Sequence, residues 1–199
     1  MTQKILVALA AIILTGCSST PLKVDLSSSE YQSEIIQKKD IYGLNIINKA
    51  DPGKLLNTML GSDSHLPIKT AQPTKLTVEN DIKQYFEETT QINQNSTHSV
   101  TATIYKADAY WVWGGASKIP IFGLLATGSD APYRMNLKVL LEIENNGKVE
   151  KSYLFDEVIE IQASAATEES IKAGYADLIA KARKALFSEL DKRFINRYL

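Results

Sequence analysis

From Tyr133 to Ile143 the chain alternates. Tyr133, Met135, Leu137, Val139, Leu141 and Ile143 share one side, and Arg134, Asn136, Lys138 and Glu142 lie on the other, followed by Glu144. A period of two places successive side chains on opposite faces of an extended backbone, so this stretch predicts a strand with one buried face. Its partner runs from Lys148 to about Ile161, across Asn145-Asn146-Gly147. A two-residue Asn146-Gly147 loop would set Ile143 opposite Glu150 and Val139 opposite Leu154, mixing faces. Parity therefore predicts a three-residue loop, Asn145 to Gly147, with Gly147 in the left-handed bulge position. That register sets Ile143 against Val149, Val139 against Tyr153 and Leu137 against Phe155, and it leaves Lys151 in an apolar row.

Two further stretches carry the same period. Ile41 to Asn48 predicts a first strand, with Tyr42, Leu44 and Ile46 alternating against Gly43 and Asn45. Asp51-Pro52-Gly53 ends it, and residues 51 to 75, with Pro52, Pro67, Pro73 and Gly61, predict an irregular connection. Leu55, Leu56, Met59 and Leu60 would make one helical turn inside it. From Val100, the residues Val100, Ala102 and Ile104 share a face, and Ala107, Ala109, Trp111 and Trp113 continue in the opposite phase. A two-residue period changes parity only through an extra residue, which predicts a bulge near Lys106 to Asp108.

Helical spacing marks two other segments. Val78, Ile82, Tyr85, Phe86 and Ile92 predict a helix from about Val78 to Ile92, with Thr77 as N-cap. Thr167 predicts the cap of a longer one, with Glu168 and Glu169 in its first turn and Ile171, Tyr175, Leu178, Ala182, Leu186, Leu190 and Phe194 as its apolar stripe. At 1.5 Å per residue, a helix from 168 to 198 would run about 47 Å. That is longer than a small sheet is wide, so its end should kink, fray or project. Lys181, Arg183, Lys184, Lys192, Arg193 and Arg197 crowd its second half. They read first as a solvated face at the negative end of the helix dipole, and second as a patch for lipid headgroups or an acidic partner. The order of elements predicts an α+β fold: an about four-stranded, mainly antiparallel sheet with two helices packed on one face.

The N-terminus has a different pattern. Lys4 precedes an unbroken apolar run from Ile5 to Leu14, which is short of the about 20 residues that span a bilayer as a helix. Leu14-Thr15-Gly16-Cys17 closes the run and holds the only cysteine of the chain. This resembles the lipobox of bacterial lipoproteins. The resemblance implies a signal peptide over residues 1–16 and cleavage before Cys17. It also implies a diacylglyceryl thioether and an N-acyl group of the palmitate type on that residue. Ser18, rather than Asp, follows the cysteine, and in that family this favours the outer membrane, with the domain facing the periplasm. Residues 17–37 are Ser-rich around Pro21 and read as acylated cysteine plus flexible tether, leaving 38–199 as a single α/β domain.

Beyond the lipobox, an early strand, an amphipathic helix, a meander with an Asn-Gly turn and a long last helix opening on Thr-Glu-Glu together resemble YajG-type bacterial outer-membrane lipoproteins. That resemblance implies no catalytic residues and no cofactor.

Charge and composition narrow the function. A net charge of −1 gives no field to recruit nucleic acid, and an acylated Cys17 leaves no thiol for catalysis or metal binding. No nucleophile elbow, zinc-protease, dinucleotide or phosphate-loop motif occurs. Asp63-Ser64-His65 contains triad residue types, but sequence neighbours on a loop do not converge as a triad does. His65 and His98 are isolated, a weak basis for a metal. The stretch with the most functional promise lies between Trp113 and Tyr133, longer and more apolar than a hairpin turn needs. It offers Trp111, Trp113, Ile119, Ile121, Phe122, Leu124 and Leu125 as candidate contacts to a partner or bilayer, or as cover for the core. Two roles fit: a non-enzymatic binding or envelope-complex component, or an auxiliary lipoprotein of an ABC-type lipid transport system. The oligomeric state is open. Cys17→Ser should abolish acylation and leave uncleaved precursor in the inner membrane. Intact mass of both chains checks this, and a wild type without acyl groups overturns the anchor.

Overall fold

The computed structural model describes residues 21–26, 31–53, 64–113, 130–165 and 167–199. The strands are β1 (Lys39–Ile41), β2 (Gly43–Asn48), β3 (Ser64–Pro67), β4 (Thr90–Ile92), β5 (His98–Trp113), β6 (Asp130–Asn145) and β7 (Lys148–Ser164). Helix α1 (Thr74–Thr89) lies between β3 and β4. Helix α2 (Glu168–Leu190) runs into a π-helical turn, Asp191–Ile195, and a last turn, α3 (Asn196–Tyr198). The main sheet has the order β2-β5-β6-β7, and β3 also pairs with β5. The two helices pack on one face, where their stripes join the inner rows of β5 and β6 in one apolar core.

The alternation read in β5 and β6 holds. Ile104 lies opposite Val139 and Lys106 opposite Lys138, so Tyr105 is the extra residue that switches the phase, just before the predicted position. The helix at the C-terminus also begins as expected. Thr167 accepts from the Ser170 amide, Ser170 reaches back to the Thr167 amide, and the two form a capping box. Helix α2 comes close to the sheet at Gly174, where a Cβ would stand 3.0 Å from the Ala163 side chain and 3.1 Å from the Tyr133 ring. The expected break near its end is the π turn, which brings Asp191, Phe194 and Ile195 all inside.

The mainly antiparallel α+β sheet is as expected, with one parallel pair in it, β2 on β5, Gly43 opposite Ser99 through Asn48 opposite Ile104. Several finer expectations are corrected. The first strand is two: β1 pairs in parallel with β4, and the chain then changes partner at Tyr42, which is exposed. The connection 51–75 is not wholly irregular, since β3 pairs antiparallel with the second half of β5. The helical turn expected at Leu55 to Leu60 lies outside the described residues. Helix α1 starts at Thr74 behind Pro73, whose side chain makes no cap bond, and Thr77 lies inside it. It ends at Thr89 because Thr89 and Thr90 turn their hydroxyls onto the carbonyls of Tyr85 and Phe86 and Thr90 goes extended. Ile92 is exposed on β4 rather than lying on the helix stripe.

The hairpin turn has two residues, not three. Asn145 pairs with Lys148, while Asn146 and Gly147 have φ of 51° and 75°, as a type I′ turn requires. Parity is restored one pair later: Glu144 faces Val149 and Ile143 faces Lys151, so Glu150 is the extra residue. The bulge then sets Val139 opposite Phe155 and Met135 opposite Ile159, all four buried. A favoured turn plus one bulge thus replaces the looser loop.

Leu186 is 2 % exposed on α2, whereas Lys184 is exposed to solvent. Leu186→Ala should cost about 2–5 kcal/mol, the range for a buried large-to-small change. Lys184→Ala should change stability by less than about 0.5 kcal/mol. Denaturant midpoints measure both, and equal effects contradict the placement of the helix.

Candidate functional site

The stretch expected to be a flexible tether is partly built into the domain. Leu22, Val24 and Leu26 alternate inward against Lys23 and Asp25, and Tyr31, Ser33 and Ile35 do the same after them. Leu22 bridges Thr70 in parallel, with its amide on the Lys69 carbonyl at 2.9 Å and its carbonyl accepting from the Ala71 amide at 2.8 Å. The backbone needs those partners once its apolar side chains are covered.

The second attachment is Asp191, which is fully buried. Its Oδ2 accepts from the Tyr31 hydroxyl at 2.7 Å and the Glu34 amide at 2.8 Å. Its Oδ1 accepts from the Ser33 hydroxyl at 2.8 Å and the Tyr85 hydroxyl at 2.6 Å. Both oxygens act only as acceptors, the state of an ionised carboxylate. Burial, and then the bond to Asp191, pushes the phenols of Tyr31 and Tyr85 well above the ordinary tyrosine value. The Tyr85 ring stacks on Phe187 at 4.7 Å, joining α1 to α2 beside the carboxylate.

Between this docked segment and α1 lies a groove of about 1170 Å³. Its α1 wall presents Thr77, Asn80, Asp81, Gln84 and Glu88, and Tyr175, Arg183 and Phe187 of α2 also line it. Arg183 grips Asp81 through two bonds of 2.8 Å and donates to the Leu26 carbonyl at 3.0 Å. Part of the predicted basic patch is therefore a positioning clamp, with both charges largely buried. Lys181 and Arg193 are engaged as well, on the Glu160 carbonyl and the Glu189 carboxylate. The Thr77 hydroxyl is buried in the groove wall and has no hydrogen-bond partner among the described residues. Amides and hydroxyls stand on the groove's rim, and the Arg183–Asp81 ion pair in its wall is closed on itself.

A smaller hollow of about 290 Å³ lies on the other face of the sheet, lined by His65, Asp108, Tyr110 and Asn136 among others. His65 stacks on the Tyr110 ring at 4.4 Å, and Tyr110 donates to Asn136 Oδ1 at 3.3 Å. Burial raises the carboxyl of Asp108, against the bond from Asn136 and the charge of Lys106.

No protein-family model matches the sequence, and no curated protein matches it. Solved structures do. Protein XCC0632 from Xanthomonas campestris, of the family DUF330, is similar at a TM-score of 0.50 and 11 % identity, over 87 % of this chain and 95 % of that one. A minor lipoprotein from Acinetobacter baumannii has a TM-score of 0.39 and 12 % identity, over 78 % of this chain and 91 % of its own. The likeness to the Xanthomonas protein is one of fold.

The sequence candidates divide accordingly. Trp111 is half-buried and packs on the core from the helix-covered face. Trp113 closes β5 opposite Ser64. Ile119, Ile121, Phe122, Leu124, Leu125 and Cys17 lie outside the described residues. Ser64 and His65 are neighbours on β3, which sends their side chains to opposite faces, so they form no triad. His98 stands 3.7 Å from Glu150, and no group of metal-binding side chains occurs among the described residues. Sequence reasoning missed Asp191 and the groove. The usable signal was the alternation of Leu22, Val24 and Leu26, which the surrounding serines obscure.

Because the Tyr31 and Tyr85 phenols are raised in the folded chain, their contribution is intact below the ordinary value near 10 and is lost as pH climbs through the raised values. Asp191→Asn should cost about 1.5–3 kcal/mol, the worth of a hydrogen bond to a charged group. It should also speed amide exchange at Glu34. Exchange unchanged at that amide would mean the carboxylate does not hold the segment.

Proposed function

We propose that the chain is a lipid-anchored component of a bacterial envelope. Its acylated Cys17 sits in the outer membrane, and its domain faces the periplasm as a non-enzymatic binding part of an envelope assembly. The carrying observation is Leu14-Thr15-Gly16-Cys17 behind a short apolar run, an address that leaves the only cysteine ready for acylation. The resemblance to YajG-type lipoproteins supports the same reading. No helix among the described residues is long and apolar enough to cross a membrane, which makes acylation the attachment this reading uses.

The groove supports a binding role near the bilayer. Leu22, on its rim, is five residues from Cys17, and five residues span at most about 18 Å. Whatever the groove takes is met close to the headgroups. That proximity favours the second reading, an auxiliary lipoprotein of a lipid transport system, in which the groove receives part of a lipid.

Gln84 is an exposed groove residue, so Gln84→Trp should block the groove without touching the core. Crosslinked envelope, followed by capture of the full chain, then separates the readings. Loss of a defined protein with an unchanged denaturant midpoint supports the complex component, and loss of copurifying phospholipid supports the transport role. Neither partner nor lipid in the parent sample contradicts both.

A further inference from the structure

Strand β7 ends the sheet order, so its outer edge has no neighbouring strand among the described residues. Long open edges are templates for pairing, and proteins guard them with charges turned toward the core side. Strand β7 carries two such charges. Lys151 stands opposite Ile143 and Glu157 opposite Leu137, each in a row whose β6 members are buried. They are opposite in sign, and each is three residues from Leu154. Leu154 itself points to the helix-free face and is 49 % exposed.

We propose that β7 pairs with β7 of a second copy of this chain, antiparallel, about a two-fold axis through Leu154. Across that axis Lys151 meets the second copy's Glu157, twice by symmetry. Tyr153 meets Phe155, Ser152 meets Asp156, and Leu154 meets itself. Every directly opposed pair is then complementary or neutral, which is what stabilises an antiparallel ladder. Neighbouring registers lose the charge pair. Within residues 151–157, an axis at Tyr153 sets Lys151 against Phe155, one at Phe155 sets Glu157 against Tyr153, and one at Asp156 opposes that residue to itself. The bulge at Glu150 limits the pairing to about residues 151–157, so two sheets join through one short ladder. Lys151, which lies over the Tyr198 ring in one copy, and the exposed Glu157 become partners in the pair.

The test uses the purified full chain in detergent, under mild oxidation, with the parent chain and its Cys17 as baseline. Leu154→Cys should give a disulfide-linked dimer. Val158→Cys should not, because the axis separates the two copies of that residue by about eight residues of strand, roughly 26 Å. Lys151→Glu and Glu157→Lys should each lower the dimer fraction of the Leu154→Cys chain roughly tenfold, since each creates two like-charge pairs. The double exchange should restore it. A monomer at every position would overturn the proposal and leave Lys151 and Glu157 as guards of the edge. Equal crosslinking at Val158, or no rescue by the double exchange, would overturn the register.

Discussion

A carboxylate removed from water must be supplied with donors, and Asp191 receives four from two parts of the chain distant in sequence. Three come from the N-terminal segment and one from α1, and they meet on the first residue of the π turn after α2. The wider turn is what allows this. It keeps Leu190 inside while bringing Asp191, Phe194 and Ile195 in as well, so the helix end presents a broad buried face instead of a stripe. Phe194 then meets Phe86 edge-on, and the polar tie is closed in by aromatic rings. Removing any one of the three contributors would leave buried polar groups facing each other without partners.

Strand β5 plays the corresponding role in the sheet. Its first half carries parallel β2 on one side and its second half carries antiparallel β3, while β6 runs along the whole of the other side. The extra residue at Tyr105 falls at the junction, just after the last β2 pair. One bulge thus corrects the facing of the apolar residues at the place where the edge partner changes direction. Glu150 does the same for β7, and a chain with strands this long uses such insertions to keep one face apolar.

What the sequence disclosed follows from which signals are local. The alternation of β6, the phase change in β5 and the Thr167 cap depend on residues a few positions apart, and all three were legible. The hairpin was misread because parity alone cannot tell a three-residue loop from a two-residue loop with a bulge. The positive φ that Asn146 accepts decides for the second. Thr77 reads as a cap because its hydroxyl suits one, yet Pro73, with φ already fixed, starts the helix a turn earlier. Asp191 offered no signal at all. It reads as one more charge on a helix surface, and only a π turn and a segment from the far end of the chain make it a buried hub.

The docking of residues 22–26 and 31–35 changes how the domain explores its surroundings. A domain on a free tether of some twenty residues would sample a wide shell and present every face in turn. With Leu22 bridged to Thr70 and Tyr31 held by Asp191, the first attachment to the domain lies only five positions after Cys17 in the sequence. On the proposed reading, an acylated Cys17 would present the groove to membrane-borne molecules at the high effective concentration of a short linker, in the millimolar range. Weak intrinsic affinity would be enough under that condition, and a ligand released from the groove would still be within reach of it.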